Sequence, residues 1–277
     1  MGAVLALVSS LLWGTGDFIA GYLSRRRSPM AVLGGSQIVG FVVMLVIATL
    51  TMSWGASPGG YLVWGVLASL AGASALLAFY TALATGPMGV VSPISALGVL
   101  VPLAVGLFRG ETPTALQYVG ILLAIIGVVL ASGPEISGAA GLRPVVLSVA
   151  AAVGFGLFFV FVAAGAQEST VMTMTAQRGT TTLLIIGAAL IARQGVGGLQ
   201  RGDVPWLVAI GVFDIAANLM FGLSTTEGLL AVVSVLGSLY PVVTVVLAWV
   251  VLRERLAPAQ YIGVIVALTG VAAISAG

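Results

Sequence analysis

The chain has no cysteine, no histidine and no lysine, and only 6% of its 277 residues are charged. Without cysteine there are no disulfides and no thiol chemistry, and without histidine there are no imidazole proton relays and none of the usual zinc sites. Without lysine there is no Walker-type phosphate loop, so the chain cannot hydrolyse ATP in that way. A soluble domain carries about 25% charged residues, so this composition cannot make a water-facing surface. The sequence pI of about 9.3 rests on a net charge of only +2 and carries no nucleic-acid signal.

What the chain has instead is apolar length. It is 60% hydrophobic, with a mean hydropathy of +1.21. Cut at charges, Pro and Gly, it falls into ten apolar segments, 3–23, 29–51, 61–84, 88–108, 115–133, 143–165, 170–192, 205–225, 229–252 and 258–276. A bilayer core takes about 20 apolar residues per helix. Runs this long and continuous are helices rather than barrel strands. The expected fold class is therefore an all-α integral membrane protein with ten transmembrane helices. The N-terminal MGAVLALVSSLLWG has no basic region and no small-residue cleavage site, and reads as the first spanning helix rather than a signal peptide.

The chain also repeats itself. QYVGILLAIIGVVLAS at 117–132 returns as QYIGVIVALTGVAAIS at 260–275, with Gln, Tyr, Gly, Ala, Gly, Val and Ser in register. FYTALATGPMGVVS at 79–92 lies over FGLSTTEGLLAVVS at 221–234. The expected domains are two five-helix units, 1–133 and 143–277. An odd number of spans per unit inverts the second relative to the first, the plan of many secondary transporters, with the site near the midplane. Arg25, Arg26, Arg27, Arg143, Arg193, Arg201, Arg253 and Arg255 fall on one side of the membrane and Arg109 on the other. On that count the Arg25–Arg27 face is cytoplasmic and both termini face outward.

A charge at mid-helix costs about 2.5–3.5 kcal/mol on insertion scales, so each one needs a reason. The candidates are Asp17 in LLWGTGDFIAG, Arg178 in MTMTAQRGTTT and Asp214 in GVFDIAANLMFG, with Gln37, Gln177 and Asn218 as uncharged companions. Asp214 and Asn218 stand four apart and share a face, which Phe221 and Thr225 continue. A carboxylate beside an amide suits a polar substrate or proton exchange. The alternative is a structural Asp214–Arg178 pair that fixes helix packing. Pro102 and Pro241 each remove an N–H and free a carbonyl, at Gly98 and Gly237. Interrupted apolar segments at matched places in two halves point to a transport site. Trp13 and Tyr240, deep in their segments, and Tyr80 complete the candidate binding set. Gly120, Ala124, Gly127 and Gly263, Ala267, Gly270 form small-residue ridges for close helix packing. Glu111 and Glu254 read as loop ion pairs and helix N-terminal charges.

WGTGDF at 13–18, GVVSPISALGVLVPLAVGLFRGE at 89–111, Arg178, and SLYPVVTVVLAWVVLRERL at 238–256 with the Q-x-x-G segment after it resemble the drug/metabolite transporter superfamily, in its EamA-type members. The resemblance implies an inverted pair of five-helix units around a central cavity. It also implies transport of amino acids, metabolites, sugars or drugs, commonly outward. Members mostly have both termini in the cytoplasm, opposite to the Arg count here, and Gln37 rather than Arg stands where Arg178 has its first-half counterpart. The expectation is a non-enzymatic exporter of small metabolites such as amino acids, coupled to protons through Asp214 or Asp17. The alternatives are a sugar uptake facilitator and a lipid-linked substrate flippase. No cofactor or metal is expected. The expected setting is multi-pass in a bacterial cytoplasmic membrane, with a small-molecule substrate and the lipid bilayer as partners and no nucleic acid, as a monomer or weak homodimer.

Overall fold

In hydrocarbon every backbone N–H and C=O must be satisfied within the segment, and an α-helix does this. The computed structural model describes residues 1–24, 26–27, 29–85, 94–95, 97–131, 142–192, 198–252 and 257–277, and among these no strand occurs. The helices are α1 (Gly2–Ser24), α2 (Pro29–Leu50), α3 (Pro58–Thr85), α4 (Leu100–Phe108), α5 (Ala115–Ala131), α6 (Leu142–Ala192), α7 (Val204–Glu227), α8 (Leu230–Gly237), α9 (Tyr240–Leu252) and α10 (Pro258–Ala276). At about 1.5 Å per residue, a helix of 23 residues such as α1 is about 34 Å long, enough for the hydrocarbon core. Among the described residues, six helical stretches are long and apolar enough to cross a membrane.

The 51-residue α6 is two helices. Ser169 sits in extended backbone (φ −161°, ψ 109°). Its neighbours show that the chain reverses there. A Cβ on Gly165 would lie 2.5 Å from the Thr173 side chain, whereas residues eight apart in one straight helix are about 12 Å apart. The first limb runs antiparallel to α3, with Gly154 against Ala71 and Ala75 and Gly165 against Trp64. The second limb runs parallel to α3, with Gly65 against Thr173 and Ala176 and Ser69 Oγ 2.8 Å from Thr181 Oγ1. The sixth and seventh apolar segments of the sequence are these two limbs.

Two other packings frame the interior. α1 runs antiparallel to α7: Gly2 abuts Gly228, Ser9 Oγ donates to the Ala217 carbonyl (2.8 Å), and Gly16 faces Phe213. α5 runs antiparallel to α10, and the repeated small residues make the contact. A Cβ on Gly127 would lie 2.3 Å from the Ala267 nitrogen, and one on Gly270 would lie 2.5 Å from the Ala124 nitrogen. Gly127 and Gly270 are matched positions of the repeat, as are Ala124 and Ala267, so the crossing maps onto itself when the halves are exchanged.

The ninth segment is interrupted. α8 ends at Gly237 and α9 restarts at Tyr240, with Pro241 as its second residue. In the first half, a 3-10 turn over Leu97–Val99 leads directly into α4, whose third residue is Pro102. All eight residues of α8 are buried. The outer faces carry exposed Val4, Leu11, Val42, Val46, Leu122, Ile262 and Ile265. Such an apolar exterior suits lipid and not water.

Candidate functional site

The polar groups in the apolar segments converge at mid-depth. Trp13 is the twelfth of 23 residues in α1, and Asp214 the eleventh of 24 in α7. At about 1.5 Å per residue each lies about 15 Å from its helix ends. The antiparallel packing of α1 on α7 brings them together: Trp13 Nε1 donates to Asp214 Oδ1 at 3.1 Å. Asn218, one turn on, donates its Nδ2 to the same Oδ1 at 2.9 Å and to the Asp214 carbonyl at 2.7 Å. Arg178, from the second limb of α6, puts Nη2 2.7 Å from Asp214 Oδ2. Its Nη1 donates to Gln37 Oε1 on α2. The four-residue spacing of Asp214 and Asn218 works as a shared-face pair, and Arg178 is the partner of Asp214.

The pair is asymmetric. The Arg178 side chain is 4% exposed and that of Asp214 27%. The cation is held from behind by Gln37, while the carboxylate is the more exposed partner. Among the described residues, Arg178 Nε, Asn218 Oδ1 and Gln177 Oε1 are buried without a hydrogen-bond partner. Buried polar atoms are normally satisfied, so unpaired ones at a polar cluster invite a ligand or water.

Asp17 lies one turn beyond Trp13 on α1. It is exposed and has no hydrogen-bond or ion-pair partner among the described residues. It interacts electrostatically with both Asp214 and Tyr240. Asp17 therefore shares its surroundings with Asp214 and Tyr240. Aromatic rings pack behind the same region, with Phe159 and Phe221 buried in the core. Trp13 lies 5.7 Å from Phe159, 5.7 Å from Phe221 and 6.3 Å, edge-on, from Tyr240. Gly14 lets α9 approach, since a Cβ there would sit 2.6 Å from the Tyr240 carbonyl. Thr244 Oγ1 bridges that carbonyl and the Gly14 carbonyl at 3.1 Å each.

The structure thus brings together Trp13, Asp17, Arg178, Asp214, Asn218 and Tyr240. Pro102 is buried in α4. The side chains of Tyr80 and Pro241 lie outside the described residues. Sequence reasoning left two groups out of the binding set. Gln37 was visible as an intramembrane amide, and its contact with Arg178 is the signal that was missing. Phe159 had no signal within the aromatic run GFGLFFVF.

An apolar bundle with an ion pair and amides at mid-depth defines a multi-pass membrane protein with a buried polar site. The profile of the EamA-like transporter family matches residues 1–133 and again 142–276. The chain belongs to this family and is a membrane transporter of the drug/metabolite type. It is similar to an uncharacterized protein of Methanocaldococcus jannaschii, 28% identical over 130 residues, which cover 47% of this chain and 94% of that protein. It also superimposes on a solved crystal structure with a TM-score of 0.82, covering 99% of this chain and 96% of the other at 18% identity. At that identity the likeness is one of fold.

Proposed function

We propose that the protein is a secondary transporter that exports small metabolites such as amino acids or related compounds by alternating access. Its ten spans form two inverted five-helix units, 1–133 and 143–277, in a bacterial cytoplasmic membrane. The α5–α10 crossing, which maps onto itself on exchange of the halves, supports the inverted arrangement. A relative of which 94% matches 47% of this chain supports the division into two units.

The observation that carries the reading is the Arg178–Asp214 pair at mid-depth, open on its Asp214 side and adjoining the unpartnered Asp17. Arg178 suits a substrate carboxylate, because a guanidinium binds carboxylates through paired N–H groups. Asp17 suits an amine, and the part-exposed Trp13 and Tyr240 rings suit an apolar substituent or a cation over a ring face. Asn218 braces Asp214 through its Nδ2. Tyr80 completes the proposed set. Proton coupling runs through a carboxylate, since the chain has no histidine. Asp214 is already engaged by three donors, which leaves Asp17 as the exchanging group and Asp214 as the anchor that shapes the site. The Pro102 and Pro241 breaks are the places about which helices rock.

The test is counterflow in proteoliposomes under an imposed pH gradient, with a metabolite panel containing amino acids, their decarboxylated amines and sugars. Asp214→Asn abolishes pH-dependent flux while the protein remains folded in the membrane. Asp17→Asn removes the pH dependence and keeps counterflow. An unchanged flux and pH profile in Asp214→Asn defeats the assigned role.

A further inference from the structure

α8 is an eight-residue helix, too short to be stable alone, and it starts without help from its own sequence. Its N-cap, Leu229, offers no side-chain hydrogen bond. Its first two N–H groups are taken by a residue of the other half. Leu230 N donates to Glu111 Oε1 and Ala231 N to Glu111 Oε2, each at 2.8 Å. The chain after α4 is shaped to deliver that carboxylate. Gly110 adopts φ +88°, a left-handed turn that favours glycine, and Glu111 N donates back to the Gly106 carbonyl at 3.0 Å. Gly106 leaves the space the carboxylate needs, because a Cβ there would sit 2.4 Å from Glu111 Oε2 and 3.0 Å from Ala231 N. A negative charge at a helix N-terminus also complements the helix dipole.

The other end of α8 leads to the site. After the two-residue break at Ser238–Leu239 comes Tyr240, whose ring meets Trp13. A Cβ on Gly237 would lie 3.1 Å from the Phe221 ring and 3.9 Å from the Trp13 ring. α8 is therefore a short rigid rod, clasped by Glu111 at one end and pressed on the aromatic wall at the other.

We propose that Glu111 is a positioning residue of the transport cycle. With its carboxylate on α8, the end of the bundle carrying Gly2, Gly228 and Gly277 is closed. When the clasp releases, α8 tilts as a unit about Ser238–Leu239 and opens that end toward the Trp13–Tyr240 wall. The proposal rests on the alternating-access reading, but its first readout needs no substrate, so the two fail separately.

Because the chain has no cysteine, single reporters label without background. Ser234→Cys stands in the middle of α8 and Ser148→Cys near the start of α6, towards the opposite end; both serines are 0% exposed. Each is introduced into the full chain in proteoliposomes and treated with fluorescein maleimide. Adding Glu111→Gln raises the labelling rate of Ser234→Cys at least fivefold and leaves that of Ser148→Cys within twofold. Gly106→Ala, which keeps the carboxylate but removes its space, does the same and serves if Glu111→Gln does not fold. With a transported probe from the metabolite panel, both variants lower kcat and leave KM within twofold. Unchanged Ser234→Cys labelling in both variants overturns the proposal, and so does equal acceleration of both reporters, which is general loosening.

Discussion

At the end of the bundle carrying Gly2, Gly228 and Gly277, the halves meet carboxylate to backbone. Glu111 holds the start of α8, and Glu168, at the bend of α6, accepts from Ser57 N at 3.0 Å just before α3. At the opposite end, among the described residues, they meet side chain to side chain. Arg27 Nε lies 2.7 Å from Asp203 Oδ2, and its Nη2 donates to Gln200 Oε1 at 2.7 Å. A clasp on backbone N–H groups ties down a whole helix, while an ion pair between two side chains, 23% and 11% exposed here, ties down only those side chains. Breaking the first kind frees a whole helix start at once. The second loosens gradually and responds to salt.

Four substitutions probe that difference, using thermal unfolding in detergent. The largest effect belongs between the two ends. Arg178→Ala leaves Asp214 without its cation and costs about 3 kcal/mol, the low end of the range for breaking a buried pair because Asp214 is 27% exposed, and it abolishes counterflow. Glu111→Ala comes next. It removes two charge-assisted hydrogen bonds and strands two N–H groups at a buried helix start, costing about 2–3 kcal/mol. Glu168→Ala removes one acceptor at an exposed N-terminus and costs about 1 kcal/mol. Arg27→Ala has the smallest effect, below about 1 kcal/mol, and the difference from wild type shrinks further in 0.5 M salt. If Arg27→Ala destabilises as much as Glu111→Ala, the two ends are not different in kind.

Legibility followed sequence distance. The Gly and Ala positions that recur 143 residues apart are the ones pressed together in the α5–α10 crossing, because close packing tolerates only small side chains there. Asp214 and Asn218 could be paired from spacing alone, and Arg178 from the shortage of other cations to offset Asp214. The reversal at Ser169 was visible as the polar stretch Gln167–Glu168 between apolar runs. By its place in the sequence, Glu111 is a charge for its own loop and helix. Its acceptors point instead to a helix starting 119 residues later, which no local pattern encodes. Gln37 and Arg178 are counterparts in the repeat, yet matched positions do not say that counterparts touch. That follows only from how the halves pack, and it makes their unlike chemistry useful: an amide opposite a guanidinium forms a bond where two arginines would repel.

The α5–α10 crossing has a consequence beyond packing. A contact that returns to itself when its two sides are exchanged is isologous, the kind formed between two copies of one subunit about a two-fold axis. A free-standing single unit, with no tether between the copies, would already possess the surface needed to find an upside-down twin in the same bilayer. On that account, fusing the copies did not create the interface. It fixed their stoichiometry and freed each half to differ from the other, as Arg178 in one and Gln37 in the other do.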